Sequence, residues 1–270
     1  MNDFIKTGDV EKVIRSSGKM LLNYQGMLEK LNIEHKKNEG LVSEADKETE
    51  KYLINKISLV CPDSEFIAEE SSFDTKNKKL KNKKLHWLID PLDGTNNFLS
   101  GFDYYAISVA AFFDGEVQEG WVYRPSTQEM FYSKKGGGST YQKGANIPEV
   151  VRKGPKSLTS SMLSTGFCVE KGQAFDQEFE VFKKVMGKCR GVRRLGSAAL
   201  DLCYSALGPW DGFWERGLSP WDVAAGGLFA TEAGLVVTNY SGEKFSPFDD
   251  TIIAATSGAH PDLVSLIGKN

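Results

Sequence analysis

Residues 85–98 read LHWLIDPLDGTNNF, with Leu85 first and Phe98 last. The apolar run Trp87-Leu88-Ile89 leads straight into Asp90, and Pro91, Asp93 and Gly94-Thr95 follow. Short apolar runs bounded by turn residues read as buried strands, so Asp90 is expected where a core strand emerges. A carboxylate there is costly unless it is paired, hydrogen-bonded or bound to a cation. Asp93 follows on an expected turn. Gly94 and Thr95 then offer backbone N–H groups where a short helix begins, an arrangement that binds anions. Two hard oxygen ligands beside an anion cradle point to metal-assisted phosphate chemistry.

Toward the N-terminus, Val10, Val13, Ile14, Leu21, Tyr24, Leu28 and Leu31 mark one face of an amphipathic helix over 9–31. A short hairpin is expected between Ile33 and Val42. Ser43-Glu44-Ala45-Asp46 then resembles a capping box, opening a helix that Cys61-Pro62 ends. Phe66-Ile67-Ala68 is a brief strand running into Glu69-Glu70. The lysine-rich run from Ser71 to Lys84 lacks interleaved aromatics and reads as a solvated surface loop.

Beyond Phe98 the period changes. Ala106–Ala110 and Val117–Tyr123 are strands joined at Asp114-Gly115, and Met130–Tyr132 and Ser139–Tyr141 extend the meander around Gly136-Gly137-Gly138. That glycine cluster is a hairpin turn, because no G-x-x-x-x-G-K-[ST] pattern accompanies it. A strand at Ser161–Ser164 and helices over Phe175–Met186 and Ser197–Leu207 come next. Phe213-Trp214 is a strand ending at Glu215, and Ser219-Pro220-Trp221-Asp222 opens a further helix. Strands at Val236-Val237 and Ile252–Ala255 and a short helix from Pro261 complete the chain. The fold class is α+β (mixed α/β), one domain over 1–270 with an α+β half to about 150 and an α/β half from about 151.

Composition narrows the function. A net charge of −3 argues against nucleic-acid binding through bulk charge. No apolar run approaches the ~18 residues of a membrane span. The opening MNDFIKTGDVEKV carries no basic-then-apolar signal pattern, so the expected compartment is the cytoplasm. Cys61, Cys168, Cys189 and Cys203 form no C-x-x-C pair and read as small buried hydrophobes. His35, His86 and His260 are far apart, so a zinc site is not expected and a metal must take oxygen ligands, pointing to Mg²⁺, Mn²⁺ or Ca²⁺. Asp46 and Asp222 each sit third in a helix, where an acid also complements the helix dipole. The recurrence of acids at separate chain reversals still favours a cation, since converging carboxylates repel one another without one.

D-P-L-D-G-T-N-N-F after Trp-Leu-Ile, A-E-E upstream and W-D-V-A-A-G downstream resemble the inositol monophosphatase family of Mg²⁺-dependent, lithium-sensitive phosphatases. The resemblance covers about residues 8 to 268 and implies the layered αβαβα sugar-phosphatase fold. It implies that Glu69, Asp90 and the carbonyl of Leu92 hold one metal, with Asp90 bridging to a second held by Asp93 and Asp222. Gly94 and Thr95 match phosphate-binding amides, and Asp46 the acid that orients the Thr95 hydroxyl. Glu215 matches a ligand for substrate hydroxyls, and Gly196-Ser197-Ala198 the segment lining the sugar-alcohol pocket, with Ser197 in place of a common threonine. Asp222 borders the same substrate site. Two or three Mg²⁺ ions, Mn²⁺ as a substitute, Ca²⁺ or Li⁺ as inhibitors and a homodimer belong to the same implication.

Departures are few. Gly40 stands where the family often has an acid, which weighs against a third metal, and Ser43 replaces a common threonine. The loop at 76–84 has no counterpart. The implied substrate is inositol monophosphate or a related sugar-alcohol phosphate. Fructose 1,6-bisphosphate, histidinol phosphate and 3′-phosphoadenosine 5′-phosphate are alternatives on the same core, and a regulatory protein with RNA-polymerase or RNA partners is the alternative of a different class. T-N-N-F in place of T-K-x-F leans away from the nucleotide branch.

Overall fold

The computed structural model describes residues 5–31, 33–36, 40–71, 83–167 and 172–268. The chain opens with helix α1 (Thr7–Gln25), the hairpin β1 (Ile33–Lys36) and β2 (Gly40–Ser43), and helix α2 (Glu44–Val60). The first helix is shorter than its apolar spacing suggests: Gly26 ends it, and Leu28–Lys30 form a separate 3-10 turn. Strands β3 (Glu65–Ala68), β4 (His86–Asp93), β5 (Ala106–Phe113), β6 (Glu116–Arg124), β7 (Glu129–Lys134), β8 (Gly138–Lys143) and β9 (Glu149–Val151) lie side by side in that order as one sheet. Only the β3–β4 pair is parallel.

The second sheet has the order β11-β10-β12-β14-β13, built from β10 (Met162–Thr165), β11 (Gly191–Arg193), β12 (Gly212–Arg216), β13 (Val236–Thr238) and β14 (Thr251–Ala255). Here β10 runs parallel to both β11 and β12, and β14 is antiparallel to its neighbours. Helices α5 (Ala198–Leu207) and α6 (Pro220–Glu232) fill the space between the sheets, and α4 (Gln173–Met186) and α7 (His260–Ile267) cover the outer face of the second. The result is five layers, αβαβα, in a mixed α+β chain.

Strand alternation explains the layering. Trp87, Ile89, Ile107, Val109 and Trp121 point to the α1–α2 side, whereas Leu88, Ala110 and Val122 point to the α5–α6 side. In the second sheet Phe213, Ile252 and Ala254 join that middle core, and Trp214, Ile253 and Ala255 join the outer one with α4 and α7. Helices α5 and α6 are buried on most sides and fit between the sheets through small residues. A Cβ at Gly120 would lie 2.9 Å from Ala225 Cα, and one at Gly226 2.9 Å from Leu202 Cβ, so sheet, α6 and α5 touch nearly backbone to backbone. Strands β9 and β11 carry too short an apolar signal to be read from sequence; edge pairing to β8 and β10 makes them strands.

Two further sequence expectations change. Asp93 is the last residue of β4 and not a turn residue: the strand continues past Pro91 through an irregularity between Asp90 and Asp93, which frees the ladder from the proline's missing N–H. Cys189 is half-buried and not fully buried, while Cys61 and Cys203 are buried and form no disulfide among the described residues. Cys168 and most of the lysine-rich run, 72–82, lie outside the described residues.

Candidate active site

The parallel pairs β3–β4 and β10–β12 end at the same edge. Ala68 is opposite Ile89 in β3–β4, and Thr165 is opposite Trp214 in β10–β12. The residues just beyond these ends, together with the N-termini of α5, α6 and α3 (Thr95–Leu99), surround a cleft of about 770 Å³. Ligands of layered α/β sheets commonly bind outside the carboxyl ends of strands. Glu69, Asp90, Leu92, Asp93, Gly94, Thr95, Gly196, Ser197, Ala198, Glu215 and Asp222 all line this cleft.

Each acid is held by a local device. Asp90 is 2% exposed, and its Oδ1 accepts the Leu92 N–H at 2.9 Å. Asp93 Oδ2 accepts the Ser197 hydroxyl and the Ala199 N–H, both at 2.7 Å, so the end of β4 caps the start of α5. Asp222 Oδ2 accepts the Ser219 N–H at 2.8 Å in the capping box of α6. The helix-cap reading of Asp222 and the cleft reading are therefore both true of one residue. Glu69 follows β3, its N–H bonded to the Ile89 carbonyl at 3.1 Å.

Asp46 stands behind the cleft rather than in its lining. Its Oδ2 accepts the Ser43 N–H at 2.8 Å and the Ser43 hydroxyl at 2.6 Å, and its Oδ1 accepts the Thr95 hydroxyl at 2.9 Å. The box that starts α2 thus also fixes the hydroxyl that starts α3. Gly94 precedes Thr95 at φ +99°, and a Cβ there would lie 3.0 Å from the Tyr104 carbonyl oxygen. Only glycine suits that backbone and that space.

Burial pushes the Asp90 carboxyl well above the ordinary range, and the neighbouring charges of Glu69, Asp93 and Asp222 add to it. Burial and Asp93 raise Asp222 to about 8, against the opposing Ser219 N–H. Asp93 reaches only about 6, because burial is offset by the α5 donors and by Arg194. Glu215 rises to about 8 through burial, with Arg194 working against it. Among the described residues no lysine or arginine forms an ion pair with Asp90, Asp93 or Asp222. Buried, mutually repelling carboxylates are a donor set that suits hard divalent cations. The acids line one cleft without being drawn together: among the described residues no three His, Cys, Asp or Glu already close around a metal-sized centre.

Among the lining residues that sequence reasoning passed over are Asn97, Gly166, Arg194 and Asp201. Asn97 Nδ2 donates to the Tyr104 carbonyl at 2.6 Å and the Leu195 carbonyl at 2.7 Å, joining the two halves of the cleft. Gly166 lies against Glu215, where a Cβ would come 2.1 Å from both carboxylate oxygens. Asp201 accepts the Tyr104 hydroxyl at 2.7 Å. The one available signal was Asp201, an acid inside the otherwise apolar run Ala198–Leu207.

Five layers and an acid-lined cleft at their shared strand ends define a layered α+β protein with the architecture of the sugar phosphatases. The chain belongs to the inositol monophosphatase family, whose sequence pattern matches residues 2–269. It is 36% identical over 259 residues to Nus factor SuhB of Vibrio cholerae, covering 96% of this chain and 94% of that one. Inositol-1-monophosphatase of Mesorhizobium japonicum is 33% identical over 254 residues, 94% and 92% of the two chains. Among solved structures, the extragenic suppressor protein suhB from Bartonella henselae superposes with a TM-score of 0.86 at 30% identity, covering 97% of this chain and 98% of that one.

Proposed function

We propose that this protein is a divalent-metal-dependent phosphomonoesterase that hydrolyses inositol monophosphate or a related sugar-alcohol phosphate. The observation that carries the reading is the meeting of Asp90, Asp93, Asp222 and Glu69 in one cleft with the Asp46–Thr95 hydroxyl pair and the Gly94 turn. Glu69, Asp90, the Leu92 carbonyl, Asp93 and Asp222 would hold the cations, Mg²⁺ by preference, with Mn²⁺ as a substitute and Ca²⁺ or Li⁺ as inhibitors. When bound, such ions acidify water and neutralise charge on the phosphate and the departing alkoxide.

The chain's own residues supply orientation. Asp46, which also accepts the Ser43 N–H and hydroxyl, holds the Thr95 O–H, so that the Thr95 oxygen turns its lone pairs toward an attacking water and aligns it for in-line displacement. The backbone N–H groups at Gly94 and Thr95, with the N-terminus of α3 behind them, hold the phosphate oxygens. Glu215, whose carboxyl burial raises to about 8, hydrogen-bonds a substrate hydroxyl. No residue of the chain forms a covalent intermediate, and the Asp90-Pro91-Leu92-Asp93 spacing is not the D-x-D of phosphoaspartate enzymes.

Phosphate release from inositol 1-phosphate, fructose 1,6-bisphosphate, histidinol phosphate and 3′-phosphoadenosine 5′-phosphate under Mg²⁺ tests the reading. Fastest release from inositol 1-phosphate supports it, and no release from any of them refutes it. A second reading, a regulatory protein with RNA-polymerase or RNA partners on this scaffold, is favoured by the relative named Nus factor. A cytoplasmic homodimer fits either reading.

A further inference from the structure

We propose that Glu50 is a positioning residue for Glu69, holding the turn that aims this acid into the cleft; the proposal rests on the divalent-metal reading of the site. Helix α2 buries one face through Asp46, Thr49, Glu50, Leu53 and Ile57. Leu53 and Ile57 join the apolar core beneath the first sheet, whereas the first turns of the same face carry two acids, Asp46 at 1% and Glu50 at 3% exposure. Two acids four residues apart on a helix repel when ionised, and a buried acid is costly unless donors reach it. Asp46 finds its donors in Ser43 and Thr95. Glu50 finds one in the turn that follows β3: its Oε2 accepts the Glu70 N–H at 2.6 Å.

That bond matters because of where Glu69 stands. Two planar peptide groups flank the residue, and only its own φ and ψ relate them. The group before it is fixed by the sheet, since the Glu69 N–H donates to the Ile89 carbonyl at 3.1 Å. Strand β3 ends at Ala68, so the group after it lies beyond the strand, and Glu50 supplies the acceptor for its N–H. With both groups fixed, the Cα–Cβ bond of Glu69 has one direction, and the residue lines the cleft. One face of α2 therefore sets two parts of the site: Asp46 fixes the Thr95 hydroxyl, and Glu50, one turn on, fixes the turn that carries Glu69.

The test is calorimetric titration of Mg²⁺ into substrate-free protein for wild type, Glu50→Gln, Glu50→Ala, Glu69→Ala and the double variant Glu50→Ala with Glu69→Ala, with thermal melting recorded for each. Losing an outer partner of a metal-holding residue costs 10–100-fold in affinity, so Glu50→Ala should weaken Mg²⁺ binding about tenfold. Glu50→Gln, whose amide oxygen still accepts the Glu70 N–H, should keep most of the affinity. In the Glu69→Ala background, Glu50→Ala should weaken binding no further, because the acid it positions is gone. A lowered melting temperature in Glu50→Ala with Mg²⁺ affinity unchanged marks a purely structural role and overturns the proposal. So does an equal loss in both backgrounds, or a loss in Glu50→Gln as large as in Glu50→Ala. Wild type that binds no Mg²⁺ refutes the metal reading itself, and the proposal falls with it. Amide exchange in metal-free wild type reads the contact without any variant: protection of the Glu70 N–H supports it, and exchange at the open-chain rate overturns it.

Discussion

In Gly166→Ala a methyl group would lie 2.1 Å from both Glu215 carboxylate oxygens, a distance that real Cβ atoms do not show. The backbone before it is fixed by the β10–β12 pairing, so the group that yields most readily is the carboxylate, at the free end of its side chain. Clearing the overlap needs a retreat of about 1 Å, and a misplacement of that size costs on the order of 10²-fold in catalytic efficiency. A hundredfold loss corresponds to about 2.7 kcal/mol of transition-state stabilisation. Steady-state phosphate release from inositol 1-phosphate should therefore show kcat/KM reduced about a hundredfold, mostly through KM. The melting temperature should change little, because no apolar contact is lost. Glu215→Gln should likewise raise KM more than it lowers kcat. In the double variant Gly166→Ala with Glu215→Ala the two losses should not add, because the methyl group no longer meets a carboxylate. Wild-type activity in Gly166→Ala, or strict additivity in the double variant, would refute the reasoning.

Two other predictions follow from hydrogen bonds. Thr95→Ala should lower kcat by about 10²-fold or more while Thr95→Ser keeps most of it, since the hydroxyl and not the methyl is held by Asp46; full activity in the alanine variant would remove Thr95 from the mechanism. Asp211, bonded by Lys156 at 2.7 Å, by the Met162 N–H at 3.0 Å and paired with Lys153 at 3.0 Å, has its carboxyl held below the ordinary range by those partners against the opposing effect of burial. A depressed folded-state pKa stabilises the fold above the unfolded value of about 3.9 and loses that contribution as pH falls through the folded value. Asp211→Asn should cost about 2 kcal/mol at pH 7, and the gap to wild type should narrow below pH 4 in urea titrations. A constant gap across that window would contradict the assignment.

The cleft was legible because its chemistry is concentrated in contiguous motifs. Asp90, Asp93, Gly94 and Thr95 are neighbours in sequence, and Asp46 and Asp222 announce themselves through capping boxes after serine. The layered fold was legible through the resemblance to the family, and the small residues of α5 and α6 are what let that middle layer fit between the sheets. What sequence did not reveal depends on pairing between distant segments. Gly166 matters only because Thr165 falls opposite Trp214, and Asn97 only because Tyr104 and Leu195 come within reach of its amide. Strands β9 and β11 exist through their neighbours. The length of α1 was overestimated because its apolar spacing continues past Gly26 into a turn that buries the same face.

The proposed chemistry stands on Asp90, the buried acid whose carboxyl the charges of Glu69, Asp93 and Asp222 raise further. Phosphate release from inositol 1-phosphate should be measured for wild type and Asp90→Asn across a Mg²⁺ titration, with thermal melting recorded for both. Wild-type release that rises with Mg²⁺ and vanishes in chelator, together with an inactive Asp90→Asn that melts no lower than wild type, is the predicted result. Turnover that survives Asp90→Asn, or that is indifferent to Mg²⁺, would contradict the account.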